Sequence, residues 1–598
     1  MSRAAGRAAL AALRPVSTGP TLFGSRASNS RGTLPPGRQD HGLVAIPLRL
    51  PAQLLPLPLG GRAPSAAAGA GTPETLARTV LGLGARICWR SVPRGLAFSG
   101  GGGGRGIHPG ELTTLIKGCR DAAGLLKLVE EHGKSFNFIH VGAAWGRLAK
   151  MRDAGGTRVA EGEVIKRLEL LTGATVQEMG AWGVSNIIHS MATVSESGRM
   201  AADDELTGTL LARAEATAAG FNSHDISNVL WALATMGIKP GPGLLEAMQR
   251  RATATENDFK PQGVANVLWA LATMGITADA RLLEAMQGRA TATAGDFKPQ
   301  GVANVLWALA TMGITADARL LEAMQARATA TARDFKPQSV ANVMWALATM
   351  GIEPEPRLLD AMQRQATAMA GKFKPQEVAN VLRALACFDT SPSQESVRMV
   401  ESLAVRLLSM REQLSVGDKS QLHQWLLFCE LHPGWRGQLP MSMQNVKEEH
   451  GGSSREAFAL EAPATSRLQA NVAKQLRRLF PELKVEEEYE DARSGYRIDI
   501  RAEMSGRENA SDTGSGAGRV WAVEVDGPTH FLQGGSGREP SKGTLLKRRQ
   551  LEQLGYTAVA VPYWEWNDLE GKGEEELRRY LQAKLRIDQV SQAPPSSP

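Results

Sequence analysis

Three carboxylates and a lysine near the C-terminal end are the residues of this sequence best placed for catalysis. Glu524 and Asp526 stand two residues apart in a strand-like segment, so both side chains project from one face of that strand. Asp499, in the preceding strand-like segment, can join them, and Lys547 belongs to the helix expected next. Carboxylates beside a lysine suit a hard divalent cation, Mg²⁺ or Mn²⁺, that activates water against a phosphodiester. Glu524 and Asp526 are therefore candidate metal ligands.

The segments around these residues predict a small α/β domain over residues 466–590. A helix from Ser466 is followed by alternating segments at 496–502 and 519–526, a helix at 544–554 and a buried strand at 557–562. The polar, Gly-rich stretch 505–518 is expected to be a mobile loop between the first two strands. Residues 436–465 are predicted to be a linker in front of this domain.

A unit of 38 residues repeats along the middle of the chain. FKPQGVANVLWALATMG begins at Phe259 and again at Phe297, with close variants from Phe221, Phe335 and Phe373. With weaker copies on both sides, seven or eight units cover about residues 136–435. Each unit predicts two helices, the first opened by a proline and closed by a glycine. One such hairpin cannot bury its apolar face alone, so the units must stack into an α-solenoid.

A polar stripe is predicted on the first helix of each unit, opposite its valine and leucine face. Amides can bond base edges, indoles can stack on unpaired bases, and lysines can meet phosphates at helix N-termini. Packing between units is the alternative for the tryptophans, and a bridge to the next unit is the alternative for the asparagines. The candidate RNA-binding residues are Gln262, Asn266, Trp269, Gln300, Asn304, Trp307, Gln338, Asn342 and Trp345, with Lys260, Lys298, Lys336 and Lys374.

One position varies beside this otherwise constant stripe. Identical residues in every unit cannot distinguish one base from another, whereas a variable side chain can. We therefore expect this position to contribute to base selectivity. Its residues are Asp225, Gly263, Gly301, Ser339 and Glu377.

The repeats resemble octotricopeptide repeats in their length, their Phe-Lys-Pro start, their Asn-Val-Leu-Trp centre and their Met-Gly ending. These are helical-hairpin repeats of nucleus-encoded RNA-binding factors of organelles, and the resemblance covers about half of the chain. It implies a solenoid that holds single-stranded RNA, with organellar ribonucleoprotein components as further partners.

The C-terminal strings VEVDGPTHF and TLLKRRQLEQLGYTAVAVPYWEW resemble the RAP domain, which is similar to restriction-endonuclease-like folds. The likeness includes Gly527 and His530, and it implies nuclease-like positions for Asp499, Glu524, Asp526, His530 and Lys547. The nuclease pattern has a lysine two residues after its second acid, where this chain has Asp526. Cleavage of RNA therefore stays open, and a domain that binds RNA or protein without cutting is the alternative.

The net charge of +7 is confined to the N-terminal end. Residues 1–73 contain eight arginines and one acid, which leaves 60 basic and 60 acidic residues in the rest. The field of the whole molecule therefore does not recruit nucleic acid. Arginines spaced among alanines and leucines, with serines and few acids, predict a transit peptide. We expect the mitochondrial matrix, with the chloroplast stroma as the alternative.

The remaining features argue against a membrane-spanning protein and against a structural zinc site. No apolar run is long enough for a transmembrane helix, and the four cysteines form no CxxC pair. Residues 74–135 are poorly patterned and include a Gly run. The sequence thus predicts a mainly α protein, an α-solenoid followed by an α/β domain. Its expected function is RNA binding in processing, stability or translation of organelle transcripts. A metal-dependent endoribonuclease and a protein–protein scaffold are the alternatives.

Overall fold

The computed structural model describes residues 107–151, 158–196, 204–314, 316–410, 414–460, 466–504, 519–531 and 538–587. The predicted transit peptide, the Gly run and the 505–518 loop lie outside these residues. Of the described residues, those up to Thr217 form one compact unit and those from Ala218 onward form a second. None of the described helices is both long and apolar enough to cross a bilayer.

The first unit consists of three helical hairpins. Trp145 is fully buried in it, and its indole N–H donates to the Thr172 hydroxyl over 2.9 Å. The segment 74–135, predicted to be poorly patterned, forms a hairpin from residue 109 onward that packs on the next hairpin. The helices of this unit are α1 (Pro109–Gly118), α2 (Ala122–His132), α3 (Phe138–Lys150), α4 (Arg158–Thr175), α5 (Ala181–Glu196) and α6 (Asp204–Ala216).

The second unit begins with the 38-residue repeats. The first helices of successive repeats pack side by side in one layer, and the second helices form another. The first helices are α7 (Ser223–Met236), α9 (Pro261–Met274), α11 (Pro299–Thr311), α13 (Pro337–Thr349), α15 (Pro375–Phe388) and α17 (Val416–Leu431). The second helices are α8 (Pro242–Ala254), α10 (Ala280–Ala292), α12 (Ala318–Ala330), α14 (Pro356–Met369), α16 (Gln394–Leu408) and α19 (Met441–Ala459).

Local chemistry sets the helix ends where the sequence predicts them. Pro261 is the first helical residue of α9, where its missing N–H breaks no hydrogen bond. Gly275 ends that helix with φ +60°, a left-handed conformation that favours glycine. The Asp279 carboxylate then accepts the Arg281 backbone N–H over 2.7 Å and caps α10. The predicted hairpin is confirmed at each of these points.

In four of the 38-residue repeats an arginine on the second helix joins the two ends of the repeat, and Gln365 takes its place in the repeat that begins at Phe335. Arg289 Nε donates to the carbonyl of the buried Phe259 over 2.8 Å, and Arg327 does the same to Phe297 over 2.7 Å. The phenylalanine ring is thus sealed beneath the start of the first helix while its carbonyl is satisfied. This contact fixes the start of each first helix against its own repeat.

The predicted linker 436–465 is largely helical. After the short helix α18 (Pro433–Arg436), α19 spans Met441–Ala459 and packs on α16 and α17 as the second helix of the last repeat. Its buried face carries Met443, Val446, His450, Ser454 and Ala457, which are polar or small in three of five positions. The weak apolar signal of this face is the reason that the sequence suggested a linker.

The C-terminal domain holds a four-stranded sheet in the order β1–β2–β3–β4. The first two pairings are antiparallel, with Ile500 opposite Val523, and β3 pairs with β4 in parallel. The core includes Val472, Leu476 and Trp521. The elements are α20 (Arg467–Leu479), β1 (Leu483–Glu490), β2 (Arg497–Met504), β3 (Val520–Asp526), α21 (Lys542–Gln553), β4 (Thr557–Pro562), α22 (Tyr563–Asn567) and α23 (Glu574–Leu585).

This domain shares a hydrophobic cluster with the last repeat. Leu427 of α17 packs with Tyr496, Ile498, Ala522 and Leu551. The buried His423 ring of α17 also contacts the Ser494 carbonyl over 2.6 Å. The sheet and the last repeats are therefore one packed body.

Candidate nucleic-acid interface and carboxylate cluster

Three consecutive first helices begin without a side-chain cap. Lys260, Lys298 and Lys336 occupy the N-cap positions of α9, α11 and α13, and none of these helices has a side-chain hydrogen bond at its start. All three lysines are exposed. The proline has no N–H, and Gly263 and Gly301 donate theirs to the lysine carbonyl over 2.8 Å, so the uncapped start leaves the glutamine N–H and the positive end of the helix dipole for an anion. Each of these repeats thus presents a lysine charge beside an uncapped helix start.

The variable position that we expected to select bases is the third residue of each first helix, and in several repeats it closes a capping box. The Asp225 carboxylate accepts the Asn222 N–H over 3.2 Å, and the Glu377 carboxylate accepts the Lys374 N–H over 2.9 Å. Both carboxylates are buried. The selectivity expectation does not fit these two residues, because their acceptor atoms already serve the helix start. Lys374 consequently precedes a capped helix, unlike the other three lysines.

The glycines at the same position have a packing reason. A Cβ on Gly263 would lie 3.2 Å from Phe259 Cδ1, and one on Gly301 would lie 3.0 Å from Phe297 Cδ1. The phenylalanine ring therefore packs closely against the glycine, on the side of the first turn where a side chain would project. Ser339, in the next repeat, is buried. Variation at this position follows how each repeat caps or covers its first helix.

The amide side chains of the stripe are more exposed at the N-terminal ends of the first helices, where the glutamines lie, than at the asparagines further along. Gln262 is exposed, while Gln300 and Gln338 are half-buried, and the side-chain nitrogens of the latter two are buried without a hydrogen-bond partner. Asn266 is half-buried, but the equivalent residues of the next two repeats, Asn304 and Asn342, are buried. Among these six amides the exposed one is Gln262, at the lysine end of α9.

The tryptophans of the stripe serve mainly packing. Trp269 and Trp307 are only 2% and 5% exposed, and Trp345 is half-buried. A base-stacking platform needs a free ring face, which Trp269 and Trp307 do not offer. The expectation of an open indole row is therefore wrong for these two residues, and the packing alternative holds. A helical wheel shows which side a residue faces, but the close approach of neighbouring helices closes that side here.

The C-terminal domain docks on the last repeats where their sequence departs from the stripe. Helix α21 packs against α13, α15 and α17. Arg383 and Gln424 replace the tryptophan there, and Arg383 Nε donates to Gln424 Oε1 over 2.7 Å. Arg549 of α21 donates to the Ala386 carbonyl over 2.5 Å and pairs with Asp389 over 3.3 Å. These departures from the repeat pattern are docking residues.

The predicted carboxylates are brought together on β2 and β3. Glu524 and Asp526 are buried on one face of β3, and Asp499 Oδ2 accepts the Val525 N–H over 2.8 Å. Helix α21 supplies the counter-charges, because Lys547 pairs with Glu524 and Arg548 pairs with Asp526. The sequence predicted Lys547 but missed Arg548, although the KRR string carried the signal.

His530 and the charges around Glu524 complete the cluster. His530 Nδ1 lies 3.0 Å from Asp526 Oδ1. Burial, with the nearby charge of Asp499, raises the pKa of Glu524 to about 7 against the attraction of Lys547. Burial also raises the pKa of Asp499. Burial opposes the charge of Lys547, but the carboxylates of Glu524 and Asp499 prevail and raise its pKa.

These residues do not fit a divalent-metal site as they stand. In the part of the chain that the structure describes, no group of three or more His, Cys, Asp or Glu residues is arranged to hold a metal ion. Glu524 Oε1 is a buried acceptor without a partner, but Lys547 and Arg548 already neutralise the pair of acids on β3. A metal would have to displace both cations. The cluster instead ties α21 to the sheet.

Two comparisons with known families agree with these features. Residues 523–584, which include the second half of β3 with α21 and β4, match the RAP domain. The chain carries a RAP domain. Residues 152–355 and 243–420 match the family described as RNA-editing substrate-binding complex 6 protein, so the helical repeats ahead of the RAP domain are similar to that family. No curated protein matches the chain. The family that the repeats resemble is described by its place in RNA editing, and the octotricopeptide assignment of this chain stays a prediction.

Proposed function

We propose that this protein binds single-stranded RNA along the N-terminal ends of the first helices. The bound RNA is an organelle transcript, and binding serves its processing, stability or translation. The two family matches support RNA as the ligand class. The arginine-rich composition of residues 1–73 supports the mitochondrial matrix, with the chloroplast stroma as the alternative, and organellar ribonucleoprotein components as further partners.

The observation that carries this proposal is the repetition of an uncapped, lysine-bearing helix start in three consecutive repeats. Lys260, Lys298 and Lys336 each stand one residue before a proline and two before a glutamine. A phosphate can accept from the helix N-terminus and pair with the lysine, and in the first of these repeats the exposed Gln262 amide can reach a base edge. One contact set per repeat would follow the mode of other helical repeats that read about one base per repeat.

In this proposal the RAP domain supports the repeats and does not cut RNA. Its buried acids are paired with Lys547 and Arg548, and those pairs bind α21 to the sheet. Helix α21 in turn docks on α13, α15 and α17 through Arg549 and its neighbours. The domain thereby braces the repeats beside the RNA-binding row.

The test replaces the three lysines together with alanine in the full chain. Each lost phosphate contact should lower the slope of log affinity against log salt by about 0.7 for a single strand, so three should lower it by about 2. The matched control replaces Arg281, Arg319 and Arg357, three exposed cations at the second position of α10, α12 and α14.

Fluorescence anisotropy with a labelled single-stranded RNA over a range of salt concentrations measures both slopes. The lysine variant should lose affinity and slope while the arginine variant keeps both. Equal slopes in the two variants would contradict the proposed row, since total charge alone would then explain binding.

A further inference from the structure

An exposed tryptophan lies at the start of a first helix in the N-terminal unit. Trp182 is 58% exposed, whereas Trp269 and Trp307 of the later repeats are buried. It is the second residue of α5, which begins at Ala181. Gln262 is the second residue of α9, which begins at Pro261. Trp182 thus occupies, within its own repeat, the position that the exposed Gln262 occupies in α9.

The backbone beneath this indole is held in place. Asn186 Nδ2 and Ser185 Oγ donate to the Trp182 carbonyl over 2.9 and 3.1 Å. Gly183 is buried, and a Cβ there would lie 3.4 Å from Phe138 Cδ2 of the neighbouring helix α3. An aromatic ring on a fixed backbone loses little entropy on binding, which favours a stacking contact.

The surroundings suit a nucleotide better than an isolated apolar group. Arg213 Nε donates to the Met179 carbonyl over 2.7 Å, so a guanidinium lies beneath the start of α5. The first turn of α5 carries no acidic residue. Ile139, at the same position of α3, is also exposed at 42% and adds apolar surface on the adjacent helix. A flat apolar ring near a helix N-terminus and a cation matches the base and phosphate of one nucleotide.

We propose that Trp182 is a base-stacking residue that takes an unpaired base of the bound RNA. The inference rests on the proposed RNA-binding function and adds a contact that the later repeats do not make. Stacking is tolerant of base identity, because every base has an aromatic face. Trp182 therefore contributes affinity rather than sequence preference.

The test compares Trp182→Ala and Trp182→Phe in the full chain, with a labelled 20-nucleotide oligouridine as the probe. Loss of one stacked base should weaken the affinity of Trp182→Ala by about 5- to 150-fold without changing the salt slope, and phenylalanine should restore most of it. Because the side chain is exposed, both variants should keep the wild-type circular dichroism spectrum and melting profile.

Intrinsic fluorescence provides a second readout. Binding of the RNA should quench the wild-type emission, and Trp182→Phe should lose that quenching while the control Trp269→Phe, at a buried position, keeps it. Wild-type affinity and undiminished quenching in the Trp182 variants would overturn the stacking role. If the lysine variant still loses its salt slope, RNA binding along the row survives that result. If the wild-type protein binds no RNA, both proposals fall.

Discussion

The buried acid on β3 makes the stability of the RAP domain depend on pH. The pKa of Glu524 is raised to about 7 in the folded protein from an ordinary value of 4.5, because burial and the nearby Asp499 charge disfavour ionisation. Between these two values the folded state binds more protons than the unfolded state. The free energy of unfolding must therefore fall as pH rises through this window.

The size of the effect follows from the shift. A difference of about 2.5 pKa units at 1.36 kcal/mol per unit corresponds to about 3 kcal/mol. The ion pair with Lys547 does not remove this dependence in the window, since the raised pKa of that lysine keeps it charged throughout. Glu524→Gln deletes the titrating group and should therefore weaken the pH dependence of the free energy of unfolding. The difference between the wild type and this variant measures Glu524 together with Asp499 and Lys547, whose titration is coupled to it, and removes the contribution of distant titrating groups.

Hydrogen–deuterium exchange with peptide resolution measures this difference. After correction for intrinsic exchange, the opening constant of peptides that cover β3 should rise about 100-fold from pH 5 to pH 8 in the wild type. It should rise much less in Glu524→Gln, while Glu490→Gln, an exposed position on β1, should behave as the wild type. The same pH dependence in the wild type and in Glu524→Gln would refute the reasoning.

Two further predictions concern the repeats. Glu377→Ala should destabilise the protein by about 1 kcal/mol through loss of the α15 cap, as measured by urea unfolding. It should leave the base preference across a panel of RNA oligomers unchanged. A changed preference would restore the selectivity hypothesis. Gly288→Ala should stabilise the protein by about 0.5–1 kcal/mol, because nothing lies within 4 Å of the added Cβ and the next repeat has Ala326 there. Gly301→Ala is its matched contrast and should lack this stabilisation, since Phe297 lies 3.0 Å from the new Cβ and must shift to admit it. Equal effects of the two glycine substitutions in thermal unfolding would contradict the packing argument.

The helical repeats could be predicted from the sequence because their signals are local and recur. Pro261, Gly275 and Asp279 each act on the helix end at which they stand, and the repeat shows the same solution several times. The RAP-domain strands could also be predicted, since buried Ile498, Ile500 and Ala502 alternate with polar residues along β2. In both cases the information lies within a few residues of the feature that it predicts.

The contacts between helices and strands could not be predicted from the sequence in the same way. The burial of Trp269 depends on how closely α7 and α11 approach α9, which a single helix does not reveal. The role of Glu377 depends on whether its carboxylate turns back to Lys374 or outward, and both fit the sequence. The pairing of Arg548 with Asp526 joins residues 22 positions apart across a loop. Each of these features is decided by packing or by side-chain orientation.

The cluster formed by Leu427 with Tyr496, Ile498, Ala522 and Leu551 determines where this protein can be dissected. A truncation after α19 would remove the partners of Leu427 and expose an apolar patch on the last repeat. A fragment that starts at α20 would expose the other side of this cluster, on the RAP domain, to solvent. Biochemistry on either piece would then report the damage done by the cut, and so single substitutions in the intact chain are the sounder way to assign roles to the repeats and to the RAP domain.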